Sequence, residues 1–138
     1  MFIIVLLVLF STLIAVHGIC DFPLQGQYMA EHKSPRDPYP PNEDKRVWWV
    51  IMGLHSTIHG LGVFLVLEWY AIFHDNHSLM VAAFVIATLE TLTHFCIDYW
   101  KCTHGRALLL WDQVTHISCK AMWVILFFGF LGKGAPCF

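Results

Sequence analysis

The chain has 138 residues, 57% of them hydrophobic and 15% aromatic, with only 13% charged and a mean hydropathy of +0.60. Soluble domains carry about 25% charged residues, so composition excludes an ordinary water-soluble globule and places the chain in the membrane class. A formal net charge of −2 gives no electrostatic basis for a nucleic-acid partner.

A helix needs about 20 mostly apolar residues to cross the hydrocarbon layer. Four stretches meet that requirement. The first is 2–20, FIIVLLVLFSTLIAVHGIC. A cleaved signal peptide is the competing reading, but the stretch lacks a basic start, and VHGI before Cys20 is a poor cleavage site. A polar loop follows at 26–46, and the 21–46 connection holds Pro23, Pro35, Pro38, Pro40 and Pro41. Those prolines predict an extended or irregular connection, not a helix. The second span is 47–73, the third 78–100 and the fourth 107–132, joined by HDN at 74–76 and KCTHGR at 101–106. Connections this short make successive helices antiparallel neighbours. The expected fold is therefore all-α: a four-helix transmembrane bundle, one four-span membrane domain over 1–138.

Basic residues near the helix ends set topology. Lys33, Arg36, Lys45, Arg46, Lys101 and Arg106 share one side, and the other side holds only Lys133. Both basic loops are therefore expected in the cytoplasm and both termini outside, in the manner of a multi-pass bacterial inner-membrane protein. Trp48, Trp49, Trp69, Trp100 and Trp111 fall near predicted helix ends, as an interfacial belt should. Gly60 and Gly62 suit close helix packing. The five cysteines, Cys20, Cys96, Cys102, Cys119 and Cys137, form no CxxC pair. They read as small buried hydrophobes, not as a disulfide framework.

The unusual feature is the placement of histidine and aspartate. The first span ends HGICDFPLQ, giving His17 and Asp21 with Gln25 beyond; the second contains HSTIH, giving His55 and His59. The third supplies HFCID, giving His94 and Asp98, and the fourth DQVTH, giving Asp112, Gln113 and His116. Each span thus carries two potential metal ligands four residues apart, on one face of its helix. The pairs lie near the C-terminal ends of spans one and three and near the N-terminal ends of two and four. In an antiparallel bundle all four fall in the same, cytoplasmic half of the membrane.

Burying them is costly. Three aspartates at about 2.5–3.5 kcal/mol each on insertion scales approach a penalty on the order of 10 kcal/mol. Bound zinc returns roughly 10–16 kcal/mol in favourable peptide sites. A hydrogen-bonded His–Asp network would also satisfy the groups, but it leaves the four-fold repetition of ligand spacing without a reason. Imidazole and carboxylate together suit Zn²⁺, with Mn²⁺ and Fe²⁺ as the other candidates. Five histidines and three aspartates exceed one tetrahedral shell, so two metals sharing a bridging aspartate are expected. Gln25 and Gln113 would orient ligands or substrate. Glu90 and Lys120 lie one turn deeper than a pair and read either as a base and a phosphate-binding cation or as each other's partner. His74 and His77 belong to the opposite loop, and His32 and His104 to loops on the site's side.

On these residues the chain resembles a family of small bacterial and phage membrane proteins known only as domain of unknown function 3307. Its members show H-x-x-x-D-F-x-L-Q, H-x-x-x-H, H-x-x-x-D and D-Q-x-x-H in that order, here His17–Gln25, His55–His59, His94–Asp98 and Asp112–His116. The pattern is more distantly similar to membrane-bound metal-dependent hydrolases of the zinc phospholipase C group, a likeness that implies phosphoester cleavage at a zinc cluster. The expected function is a metal-dependent hydrolase acting at the cytoplasmic face on a phosphoester, lipid or lipid-linked. Membrane lipids are the expected surroundings, and a homo-oligomer or a protein partner engaged through 26–46 is left open. One alternative is a non-catalytic interaction protein whose metal or His–Asp network staples the bundle. Another is a metal-ion or proton transporter, which the apolar outer halves of the spans disfavour. HSTIH lacks the glutamate of an HExxH protease.

Overall fold

The computed structural model describes residues 2–36, 44–104 and 109–129, and every regular element among them is helical. In order these are α1 (Phe2–Asp21), α2 (Gly26–His32), α3 (Trp48–Phe73), α4 (His77–His104) and α5 (Leu109–Gly129), with a 3₁₀ turn at Lys45–Val47 leading into α3. Pro38, Pro40, Pro41, Arg106, Lys133, Cys137 and the expected ends of the last span (107–108 and 130–132) lie outside the described residues.

Two elements differ from the sequence expectation. The 26–46 connection opens with a helix, α2, because its prolines stand beyond His32, while GQYMAEH supplies good helix formers in Gln, Met, Ala and Glu. Gly26, at φ 64°, takes the left-handed conformation that lets the chain turn out of α1 and start again. The second difference is that α4 runs on to His104, so Lys101 is a helical residue and not part of a loop. Lys101 and His104 in its last turn suit the negative end of the helix dipole.

Helices α1, α3 and α4 are long and apolar enough to cross a membrane. Helix α5, expected as a fourth span, is not among them: Asp112, Gln113, His116 and Lys120 interrupt its apolar run. Many outward side chains are large and apolar, including Leu61 and Leu65 on α3, Phe84 on α4 and Ile125 on α5. Hydroxyls on the same helices, such as Thr57, Thr88 and Ser118, bond back to the carbonyl four residues earlier, which satisfies them in an apolar setting.

Helix α3 packs on α1 and α4, and α5 packs on α4 and α1. The α3–α4 turn is tight: Asp75 sits at φ 47°, and the Asn76 side chain accepts from the Leu79 N–H at 3.1 Å, capping α4. Without a hydrophobic driving force between helices in lipid, close approach of small residues supplies the packing energy. Gly60 provides it here. A Cβ at that position would stand 2.8 Å from the Ala87 carbonyl and against the Thr91 hydroxyl. Gly62 plays the same part against Val16 of α1, whose Cγ1 would lie 2.6 Å away.

The helix pack has two unlike ends. At one, Leu9 and Leu13 of α1, Val63 and Leu67 of α3, Ala83 and Ile86 of α4 and Phe127 of α5 form an apolar core. Toward the other end the residue numbers rise in α1 and α4 and fall in α3 and α5, and the buried side chains become histidine and carboxylate. Trp123 marks the boundary.

Gly60→Ala should lose roughly 1–3 kcal/mol through overpacking, read by reversible unfolding in mixed detergent micelles. Gly53→Ala, where an added Cβ meets nothing within 4 Å, should stay within about 0.5 kcal/mol of wild type. Equal effects at both positions would remove the close-contact account of the α3–α4 pair.

Candidate metal centre

The four-residue spacing turns both members of each pair inward, and the helix ends place all four pairs at one level. His17, His55, His59, Glu90, His94, Asp98, Asp112, His116 and Lys120 are exposed by 4% or less. Asp21, in the last turn of α1, is the exception, with 14% of its side chain exposed.

One subset is compact. Asp21 Oδ1 stands 3.1 Å from His59 Nε2 and 3.6 Å from His55 Nε2. His55 Nε2 lies 3.2 Å from His94 Nε2, and one ligand atom from each of the four residues falls within 4.8 Å of the others. Zinc bound at about 2.0–2.1 Å holds tetrahedral ligands roughly 3.3 Å apart, which these separations bracket. The 3.2 Å approach of His55 Nε2 and His94 Nε2 suits either one shared proton or two nitrogens on a common ion. Among the described residues, the buried side-chain atoms without a hydrogen-bond partner are His17 Nε2, His55 Nδ1, His94 Nδ1 and Asp112 Oδ1 in the cluster and Glu68 Oε2 outside it.

The flanking groups orient these ligands. His17 Nδ1 meets His59 Nδ1 at 3.1 Å, so His17, expected as a ligand, stands behind His59 and shares one proton with it. His94 Nδ1 faces Glu90 Oε1 at 3.5 Å, too long for a hydrogen bond but on the side where an outward carboxylate would orient a metal-binding imidazole. Gln113 donates its amide toward Asp21 Oδ2 at 3.4 Å and Asp112 Oδ2 at 3.5 Å. Gln25 directly precedes α2 and makes no side-chain capping bond there; it reaches none of the cluster residues by a hydrogen bond among the described residues.

The second subset is His94, Asp98 and His116. His116 Nε2 is 3.5 Å from Asp98 Oδ1 and 3.5 Å from Asp112 Oδ1. Here two lysines intervene. Lys33 Nζ, from the turn after α2, lies 2.7 Å from Asp98 Oδ2. Lys101 Nζ lies 2.8 Å from Asp112 Oδ2 and 3.3 Å from Asp98 Oδ1. Both had counted only as loop charges that set topology. Spacing gives a signal for Lys101, one turn after Asp98. It gives none for Lys33, which reaches the site from a connection without periodicity.

Of the two roles open to Glu90 and Lys120, the geometry pairs them with each other. Lys120 Nζ donates to Glu90 Oε1 and the Trp123 indole N–H to Glu90 Oε2, and all three are buried. Lys120 is thus committed and not free to meet a phosphate. Trp123 was missed because it sits inside the helix pack and not in the interfacial belt, although a buried indole N–H needs an acceptor.

Between α4 and α5 lies a cleft of about 350 Å³. Lys101 and Asp112 form its polar part, and Ile97, Trp100, Trp111 and Thr115 its walls.

A family model described as a protein of unknown function, DUF3307, matches residues 8–132. No curated protein and no solved structure matches the chain. The match takes in every His, Asp, Glu, Lys and Gln of the centre, and the chain belongs to the DUF3307 family of proteins of unknown function.

Proposed function

We propose that this protein is an integral membrane, metal-dependent hydrolase that cleaves a phosphoester of a lipid or lipid-linked substrate at the cytoplasmic face. In this reading α1, α3, α4 and α5 are four antiparallel spans, with α5 carried across by its partners. The end holding the centre faces the cytoplasm, where the exposed Arg36 and Arg46 agree with positive-inside orientation.

The observation that carries the proposal is the four-residue set Asp21, His55, His59 and His94, drawn from three helices, with one ligand atom of each within 4.8 Å of the others, close enough to hold a metal ion. A divalent ion there supplies a water acidified to a pKa near 7 and a Lewis acid for a phosphoryl oxygen. The chain's own groups have definite parts. His55, His59 and His94 hold the ion, with His17 and Glu90 placed behind the rings of His59 and His94. Asp21 is the one partly exposed member, held by the Gln113 amide, and it is placed to take a proton from an incoming water. Three histidines and a replaceable fourth position are the pattern of a catalytic zinc site, whereas four fixed protein ligands are that of a structural one. The α4–α5 cleft, apolar and tryptophan-flanked outside and charged at Lys101 and Asp112, suits an amphiphile entering from the bilayer.

The near-complete burial of the ligands favours a second reading, in which Asp21 stays bound and the ion only staples the helices. Asp21→Asn separates the two. Catalysis predicts that the detergent-purified variant keeps its metal while hydrolysis of the phosphoester bond in phospholipid micelles, read as the alcohol and phosphomonoester products, falls on the order of 10²–10⁴-fold. A structural ion predicts no turnover in wild type and a variant that loses metal and thermal stability together.

A second measurement addresses access. Thr115→Trp, which fills the cleft, should raise KM for the lipid substrate about tenfold, equivalent to about 1.4 kcal/mol, with metal content unchanged. Unaltered kinetics would show that substrate does not enter between α4 and α5.

A further inference from the structure

We infer that the centre takes one divalent ion per chain, not two, and that Lys33 and Lys101 stand as fixed ammonium groups where a second ion would have to bind. This rests on the metal-site reading above.

The two ligand subsets are not independent, because they share His94. An imidazole nitrogen has one lone pair, so His94 Nε2 serves one ion only. Its Nδ1 is turned toward Glu90 Oε1 and away from a second ion. The subsets also differ in what surrounds their carboxylates. Asp21 is met by His17, His55, His59 and Gln113, all groups with no fixed positive charge. Asp98 has an ammonium on each oxygen, Lys33 at 2.7 Å on Oδ2 and Lys101 at 3.3 Å on Oδ1, and Lys101 also holds Asp112 Oδ2. A dication bound to Asp98 would stand within a few ångströms of two like charges in a medium that screens them poorly.

Helix α2 contacts α3, and the turn that follows it delivers Lys33 to the site. The connection between the first two spans is therefore part of the centre.

The test is metal stoichiometry on the full chain in detergent, saturated with Zn²⁺ and freed of excess. Wild type should hold one zinc per chain. Loaded with Mn²⁺, it should show the simple hyperfine pattern of an isolated ion in paramagnetic resonance, not the denser multiline pattern of a coupled pair. Lys33→Met with Lys101→Met should open Asp98, Asp112 and His116 and raise the stoichiometry to two. Two ions or a coupled pair in wild type would overturn the inference and leave the metal reading standing. A folded double variant that still holds one ion would show that the lysines are not what closes the second set. No bound ion at all would remove the metal reading and this inference with it. The wild-type measurements decide the count whether or not the variant is recovered.

Discussion

A carboxylate buried among helices must be neutralised, and the polar end of this protein is organised around that constraint. Desolvating an ion costs several kcal/mol even after relaxation, and in a membrane the surrounding lipid offers no compensation. Asp98 and Asp112 meet the requirement with Lys33 and Lys101, and Glu90 meets it with Lys120 and the Trp123 indole. Asp21 has only imidazoles and an amide around it. It keeps some exposure, and it is the carboxylate whose neutralisation is most incomplete. The place where the constraint is least satisfied is the place where a cation is best accommodated.

The apolar half makes that arrangement possible. Five imidazoles linked ring to ring, His17, His55, His59, His94 and His116, demand that α1, α3, α4 and α5 hold their relative heights closely, because a shift of one turn would carry each pair about 5 Å out of register. Gly60 against Ala87 and Gly62 against Val16 bring α3 close to both neighbours. The short His74–Asn76 turn sets the offset of α3 and α4. Packing at one end therefore fixes ligand distances at the other, and the buried Glu90–Lys120 pair joins the two regions across α4 and α5.

The same geometry bears on reactivity. A centre made only of buried groups is well ordered but closed, so chemistry requires one member that can yield. Asp21 is set apart by its position at the end of α1, where the helix gives way to a turn and then α2. The cleft between α4 and α5 is lined by Lys101 and Asp112 of the polar end.

Much of this was legible in the sequence because helical periodicity is a local property. Apolar length marked out the helices, and the four-residue spacing of His17 with Asp21, His55 with His59, His94 with Asp98 and Asp112 with His116 put each pair on one face. Alternation of the pairs between helix ends gave their common level. Spacing assigns a face but no distance across a helix gap, so it did not separate the compact set from His17 behind it, nor distinguish two sites from two subsets sharing His94. It left Glu90 and Lys120 between chemistry and mutual pairing, and their contact decided for pairing. Lys33 and α2 were out of reach of any periodic reading, since a connection docks through individual contacts. What the sequence by itself determined was which residues face inward and at what depth, because backbone geometry dictates both. Which of them meet, and which charges answer which, only the tertiary structure decided, because those depend on how closely neighbouring helices approach.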